Sequence, residues 1–278
     1  MNRHGALFEN ACQKETLMPS SKLSKIFSGV GLPKTATSPQ LNALNKKKSE
    51  IGLRLFNFNS CISLVNKYLY LEVPKAACST IKLTLINHEG SRVNETFTHP
   101  HLPIVNSPHI KPYQLTPELL EEVYFGDDIF RFSFVRNPYG RCLSAYLDTI
   151  VNKKNPFLHM CKALKLDPEV DLSFSEFLSL QKEYPVSNWD KHWQPQTFLL
   201  IDDLVKLHFV GKIESFNHDW AQARKMSKKA VPALGKDVVW HSTGADEKIK
   251  EYYSENDYRL VNELYGKDFE TYGYPLKG

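Results

Sequence analysis

YLYLEVPKAACSTIK, residues 68–82, decides how the rest of the chain is read. Tyr68–Val73 is an apolar, β-favouring run, Pro74-Lys75 turns the chain, and small residues lead into a helical pattern. A strand, a tight loop and a helix start in that order turn backbone N–H groups and a positive dipole end toward an anion. A second stretch of similar order lies at Phe132–Tyr146, FSFVRNPYGRCLSAY. Each joint carries a cation at its strand end, Lys75 in the first and Arg136 in the second. Two such joints on neighbouring strands match one ligand bearing two phosphate groups.

The 278 residues are 42% hydrophobic and 24% charged, the balance of an ordinary globular protein with a substantial core. The net charge of +4 is uneven: residues 1–50 hold eight Lys/Arg against three Asp/Glu, and the remainder 27 against 28. A near-neutral body excludes a broad nucleic-acid surface, so any anion site is local. Residues 1–50 read as a basic tail or irregular extension, and residues 51–278 as one domain. The five cysteines, Cys12, Cys61, Cys78, Cys142 and Cys161, are odd in number and lack zinc-type spacing. They point to a reducing compartment and no structural metal. No run approaches the ~18–20 apolar residues that span a bilayer, and no signal peptide is visible.

Outward from the first joint, FNFNSCISLV and YLYLEV flank Asn66-Lys67 as two strands of a hairpin. Helical spacing follows over Ser79–His88. Residues 89–117 hold five prolines with His99, His101 and His109 and read as a long functional loop. Thr116-Pro117-Glu118 opens a helix. Ile129–Val135 is a buried parallel strand, followed by a helix from Pro138 to about Val151. Ser173 and Glu176 have capping-box spacing. Val205–Val210 reads as a further strand, with helices near 217–229, 246–253 and 257–265 and an aromatic tail at Phe269–Pro275. The alternation predicts an α/β fold: a parallel sheet flanked by helices.

The first joint is no triphosphate loop of the GxxxxGK[ST] type, because Lys75 precedes the small residues. It still offers consecutive N–H donors and the hydroxyls of Ser79 and Thr80 at a helix start. In the second, Arg136 supplies a planar fork for phosphate, and Ser144 falls about two turns into the helix. Candidate proton acceptors are His99, His101, His109 and His192.

On these residues the chain resembles the sulfotransferases. VPKAACSTIK is similar to their 5′-phosphosulfate loop and FVRNPYGRCLSAY to their 3′-phosphate element. DKHWQPQT (Asp190–Thr197), LVKLHFVGKIESF (Leu204–Phe216) and LYGKDFETYGY (Leu264–Tyr274) extend the likeness. It is strongest to the carbohydrate group that includes chondroitin and dermatan 4-O-sulfotransferases, with their soluble bacterial relatives. The resemblance implies a P-loop-like sheet and the donor PAPS, 3′-phosphoadenosine 5′-phosphosulfate. It assigns Lys75, Ala76, Ala77, Cys78, Ser79, Thr80 and Ile81 to the 5′-phosphosulfate, and Arg136 and Ser144 to the 3′-phosphate. It implies metal-free, in-line transfer with Lys75 at the leaving oxygen, and a histidine base between the two elements, His101 first and His109 next.

The Golgi members carry an N-terminal membrane anchor, and a cysteine pair where this chain has Leu199–Asp203. Those departures lead us to expect a cytoplasmic enzyme acting on a small sugar, glycoside or polar secondary metabolite. The rival expectations are an ATP-dependent phosphotransferase and a non-catalytic nucleotide- or glycan-binding module. Nucleic-acid and membrane partners are not expected.

Overall fold

The computed structural model describes residues 38–103, 106–183, 185–235 and 244–278. Most of the expected basic tail, residues 1–37, lies outside them; its last part does not. Ser38 caps a helix, α1 (Pro39–Ile51), by accepting from the Leu41 N–H at 3.0 Å, with Pro39 in the first turn. Leu41, Leu44 and Ile51 are buried in the same core as Leu69 and Leu71. Burial of Leu41 and Leu44 contributes about 2 kcal/mol each. The Lys46–Lys48 run conceals that apolar face, so residues 38–50 belong to the folded body rather than to a tail. A second helix, α2 (Leu53–Asn59), replaces the first half of the expected FNFNSCISLV strand.

Strand β1 (Ser60–Ser63) pairs antiparallel with β2 (Tyr68–Leu71), Cys61 opposite Tyr70. Lys67 at φ 58° supplies the left-handed turn residue that glycine often provides. β3 (Phe130–Val135) runs parallel to β2, and β4 (Phe209–Lys212) parallel to β3, in the sheet order β1-β2-β3-β4. Alternation divides the strands between two faces. Leu69, Leu71 and Val135 join α1 and the later Leu120, Val123 and Tyr124 in one core, while Tyr68, Tyr70, Phe132 and Phe134 meet Ile81, Leu85 and Trp220 in another. The two polar residues of β3 are both satisfied. Arg131 donates to the carbonyls of Gly126 and Lys206, and Ser133 Oγ to that of Leu71 at 2.7 Å.

The third expected strand is shifted. Residues 201–206 turn back on Ile201, and the Lys206 carbonyl is taken by Arg131, so pairing begins only at Phe209.

Between β2 and β3 lie α3 (Cys78–Gly90), the irregular loop and α4 (Pro117–Phe125), the last capped by Thr116 as expected. After β3 come α5 (Pro138–Ala145), α6 (Asn155–Leu164), α7 (Phe174–Gln181) with its Ser173–Glu176 capping box, and the short α8 (Gln196–Leu200). α9 (Phe216–Met226), α10 (Ala245–Tyr252), α11 (Glu255–Leu264) and α12 (Gly266–Tyr272) follow β4. The aromatic tail is thus mostly helix. Its Phe269 packs with Tyr139, Phe177, Trp193 and Tyr253 in a third core. Because β2, β3 and β4 are parallel, Lys75, Arg136 and Glu214 all follow strand ends at one edge of the sheet, where open α/β sheets bind ligands.

Candidate active site

Val73–Cys78 joins β2 to α3 through two non-glycine residues in the left-handed region, Lys75 at φ 67° and Ala77 at φ 55°. Each costs about 1 kcal/mol in isolation. Left-handed residues alternating with ordinary ones turn successive N–H groups to the same side, the geometry of an anion nest. No side chain caps α3, so its first N–H donors are not diverted. Within the expected 75–81 set, two main-chain donors are spent internally. The Ala76 N–H donates to Val73 O and the Ile81 N–H to Ala77 O, and the Ile81 side chain is fully buried. Lys75, the N–H groups of Ala77 through Ser79 and the Ser79 hydroxyl remain on the loop.

The Lys75 ammonium lies 2.9 Å from Asp148 Oδ2. Burial pulls its pKa down, and Asp148 opposes that fall. Asp148 is held below the ordinary carboxylate range although burial pushes the other way, because Lys154 and Lys75 both donate to it. It stands on a widened turn, Tyr146–Ile150, where the Val151 N–H reaches back five residues to Tyr146 O. The expected helix to Val151 is therefore α-helical only to Ala145. Such π-turns often mark functional positions.

At the second joint the main chain of Arg136 is clamped from both sides. Its N–H donates to Gln196 Oε1 at 2.9 Å, and Gln196 Nε2 donates to its carbonyl at 2.8 Å. The guanidinium donates from Nη2 to Asp246 at 2.7 Å and from Nη1 to the Lys75 carbonyl at 3.3 Å, tying the two joints together. Its Nε is buried without an acceptor among the described residues. Asn137 caps α5 by accepting from the Tyr139 N–H, and Pro138 occupies the first turn. Gly140 leaves room for this fork: a Cβ there would stand 3.2 Å from Arg136 Nε and would clash with Asp246 Oδ1. Ser144 is buried in α5.

Beneath the loop is a charged cluster that the sequence did not disclose. Glu72, 1% exposed, pairs with Lys82 at 2.9 Å and has Lys191 at 3.9 Å. Burial pushes its pKa up, but Lys82 and Lys191 outweigh that and hold it at about 2. Burial likewise opposes the Lys82 charge, and Glu72 more than offsets this, raising its pKa. Lys82 Nζ lies 2.9 Å from His101 Nδ1, and His101 Nε2 lies 3.0 Å from Ser79 Oγ. Burial and Lys82 together depress the His101 imidazole to about 4. The loop thus brings one expected histidine against the first joint. His99 accepts from the His101 N–H at 3.1 Å.

His109 sits elsewhere. It is 3% exposed, its Nε2 is 2.9 Å from the Tyr68 hydroxyl, and that hydroxyl donates to Glu89. Burial, then Lys111, depresses it to about 3. Its ring packs edge-on against Tyr68 and lines a small cavity with Lys82 and Lys111.

Arg141, present in the second joint but given no role by its spacing, is fully buried and bridges two segments. It donates from Nε to Pro74 O, from Nη1 to Gln194 O and from Nη2 to Lys191 O. The turn at 190–194 is thereby fixed beside the Lys75 loop. Trp193 anchors it in the core, and Asp268 completes it by accepting from the N–H groups of Gln196 and Thr197. On this turn His192 Nδ1 lies 2.5 Å from Asp190 Oδ1.

A profile described as "Sulfotransferase family" matches residues 59–275. Carbohydrate sulfotransferase 14 of Danio rerio is 23% identical over 229 residues, covering 76% of this chain and 60% of its own length. The Mus musculus protein of that name is 26% identical over 235 residues, covering 76% and 58%. Carbohydrate sulfotransferase 9 of Homo sapiens is 28% identical over 172 residues, covering 55% and 37%. The chain spans at most about 60% of the length of these relatives. No solved structure matches it significantly. The matched span runs from just before β1 to just beyond α12 and contains both strand-to-helix joints, and on that ground the chain belongs to the sulfotransferase family.

Proposed function

We propose that the protein transfers the sulfuryl group of PAPS to a hydroxyl, or an amine, of a sugar or glycoside. The observation that carries this reading is the pairing of the two joints. A strained, uncapped loop bearing Lys75 is bonded through its carbonyl to an arginine whose buried Nε lacks an acceptor among the described residues. Those donors fit a nucleotide with a 5′-phosphosulfate and a 3′-phosphate. Lys75 and the Ala77–Ser79 N–H groups would hold the first, and Arg136 with Ser144 the second. PAPS when bound supplies the activated sulfuryl group; the protein supplies position and charge.

Lys75 reaches the leaving phosphate oxygen by exchanging Asp148 for it. A buried ammonium is worth most there, since charge grows on that oxygen in a site of low polarity. The carbohydrate relatives support a saccharide acceptor, and the irregular loop at 89–103 with the 190–194 turn stands where one would approach. The four cysteines among the described residues, Cys61, Cys78, Cys142 and Cys161, are buried free thiols, which supports the cytoplasmic reading. No helix among the described residues is long and apolar enough to cross a membrane.

Thermal shift tests the nucleotide directly. Adenosine 3′,5′-bisphosphate is expected to raise the melting temperature by several degrees, and ATP with Mg²⁺ to leave it unchanged. The reverse order would overturn the reading in favour of a phosphotransferase.

A further inference from the structure

Resting on that reading, we propose that Asp148 is a positioning residue for Lys75: it holds the ammonium at the loop while the site is empty, yields it to the 5′-anion of the nucleotide, and takes it back as the bisphosphate product leaves.

The carboxylate is arranged to be shared. Lys75 Nζ lies 2.9 Å from Oδ2, and Lys154 donates to the other oxygen, Oδ1. Each ammonium therefore has its own oxygen, so Lys75 can depart without leaving a half-buried carboxylate unpaired. The two cations also stand at different depths. The Lys75 side chain is 14% exposed and that of Lys154 is 50% exposed, so the inner one belongs to the site and the outer one to the surface.

Asp148 is fixed independently of Lys75. Its neighbours Thr149 and Ile150 are buried, and the Tyr146 hydroxyl donates to Leu172 O at 2.7 Å. Side chains take up carbonyls of the wide turn: Thr149 Oγ1 donates to Ala145 O, and Asn152 Nδ2 to Leu147 O and Asp148 O. The Lys154 N–H closes the segment on Thr149 O at 2.9 Å. A carboxylate on an anchored turn sets where the lysine rests, and not the reverse.

The surrounding charges fit this role. Burial works against the Lys75 charge and Asp148 works for it; Cys78 and Lys154 also face it, and the Arg136 guanidinium lies on its carbonyl. Cys78 stays a thiol, since burial pushes its pKa up. Lys154 and Lys75 keep Asp148 ionised against its own burial. In the empty site Asp148 thus supplies the negative charge that the nucleotide supplies when bound.

The exchange has an energetic consequence. A lysine drawn from water onto the nucleotide would strengthen ground-state and transition-state binding alike, which lowers KM without raising kcat. A lysine already paired gains little by moving from one anion to another. Its gain comes when charge grows on the leaving oxygen beyond what Asp148 offers. Recapture by Asp148 then offsets the cost of stripping the ammonium from the product phosphate.

Titration of the Lys75 ammonium tests the resting contact without nucleotide. In ¹⁵N-resolved spectra of the full chain, Asp148→Asn is expected to move that titration to lower pH, because the carboxylate no longer opposes burial. An unmoved titration overturns the proposal. Calorimetry with adenosine 3′,5′-bisphosphate tests the exchange. At about pH 6, where the ammonium is protonated in both proteins, Asp148→Asn is expected to bind ~3–10-fold more tightly than wild type. That advantage is expected to shrink as pH rises toward ~9.5, where the variant loses the Lys75 charge first. In turnover the same variant is expected to lower KM for PAPS without raising kcat. A turn that had merely lost structure would bind more weakly, and equal or weaker binding at the lower pH refutes the exchange. Lys154→Gln leaves Asp148 unpaired once Lys75 departs, and is expected to weaken bisphosphate binding ~3–10-fold in the wild-type background but not beside Asp148→Asn. Equal losses in both backgrounds would place Lys154 on the nucleotide itself and refute the sharing. Failure of wild type to bind the bisphosphate counts against the transfer reading, and the ammonium titration then decides the Asp148 contact alone.

Discussion

At the end of β2 the chain enters α3 through two left-handed residues and no side-chain cap, over a buried glutamate held by two lysines. At the end of β3 it enters α5 through Asn137 and Pro138, with a satisfied first turn and Gln196 bonded to both sides of Arg136. The sequences of the two joints are alike: strand, cation, turn, small residues, helix. The difference lies in where the donors for an anion are kept. In the first they are main-chain N–H groups, preserved by backbone strain. In the second the helix end is already capped, and the donors lie on one side chain held over Gly140. A site of the first kind stabilises charge that changes during a reaction, because its donors are fixed before the charge arrives. A site of the second kind grips a group that does not react.

Removing each cation is the strongest way to break that division. Lys75→Ala is expected to lower kcat by ~10²–10³-fold with little change in adenosine 3′,5′-bisphosphate affinity. Arg136→Ala is expected to weaken that affinity by ~10–100-fold, the range for a charged hydrogen bond, with kcat at saturation much closer to wild type. Steady-state kinetics and calorimetric titration on both variants check this. Equal effects of the two substitutions on both quantities would erase the distinction between the joints.

The buried pair under the first joint gives the next effect, on stability. Glu72 titrates near 2 in the folded chain against an ordinary 4.5, so the unfolded chain binds the proton first. The stabilisation is present above about pH 4.5 and is lost as pH falls toward 2, up to the order of 3 kcal/mol. Glu72→Gln is therefore expected to be less stable at neutral pH, where Lys82 loses its partner, and to show a flatter melting-temperature profile between pH 5 and 2. An unaltered acid slope in that variant would show that Glu72 is not the titrating group.

Much of the frame was legible in the sequence because it is written in short-range patterns. Apolar runs followed by turn formers marked β2 and β3, and Thr116 and Ser173 marked the starts of α4 and α7. The cations at both strand ends were legible for the same reason. What escaped depends on contacts between distant residues. Asp148 meets Lys75 only because a π-turn widens the helix, and Glu72 reads as a strand residue until Lys82 and Lys191 fold over it. His109 shares its loop with His101, yet Tyr68, 41 positions earlier, captures it into the core. His192 was named from the sequence, but nothing local said that Asp190 would hold its Nδ1 or that Arg141 would pin the turn beside Pro74. α1 was read as tail because three lysines interrupt a face that only the core reveals.

The smallest effect bears most directly on why the first joint is strained. Asn137→Ala removes a helix cap and is expected to cost about 1 kcal/mol of stability with little change in nucleotide binding. Ala77→Gly acts in the opposite sense. Alanine at φ 55° carries about 1 kcal/mol that glycine does not, while glycine adds ~0.4–1 kcal/mol of unfolded-state entropy. The two contributions nearly cancel, so the free variant is expected to melt within a degree or two of wild type. Its loop has lost the restriction that keeps successive N–H groups on one side, and ligand must then supply the ordering. Adenosine 3′,5′-bisphosphate is expected to bind it several-fold more weakly and to raise its melting temperature less. If Ala77→Gly binds as tightly as wild type, the strain does not preorganise the loop, and the first joint holds its anion by lysine charge alone, as the second does by arginine.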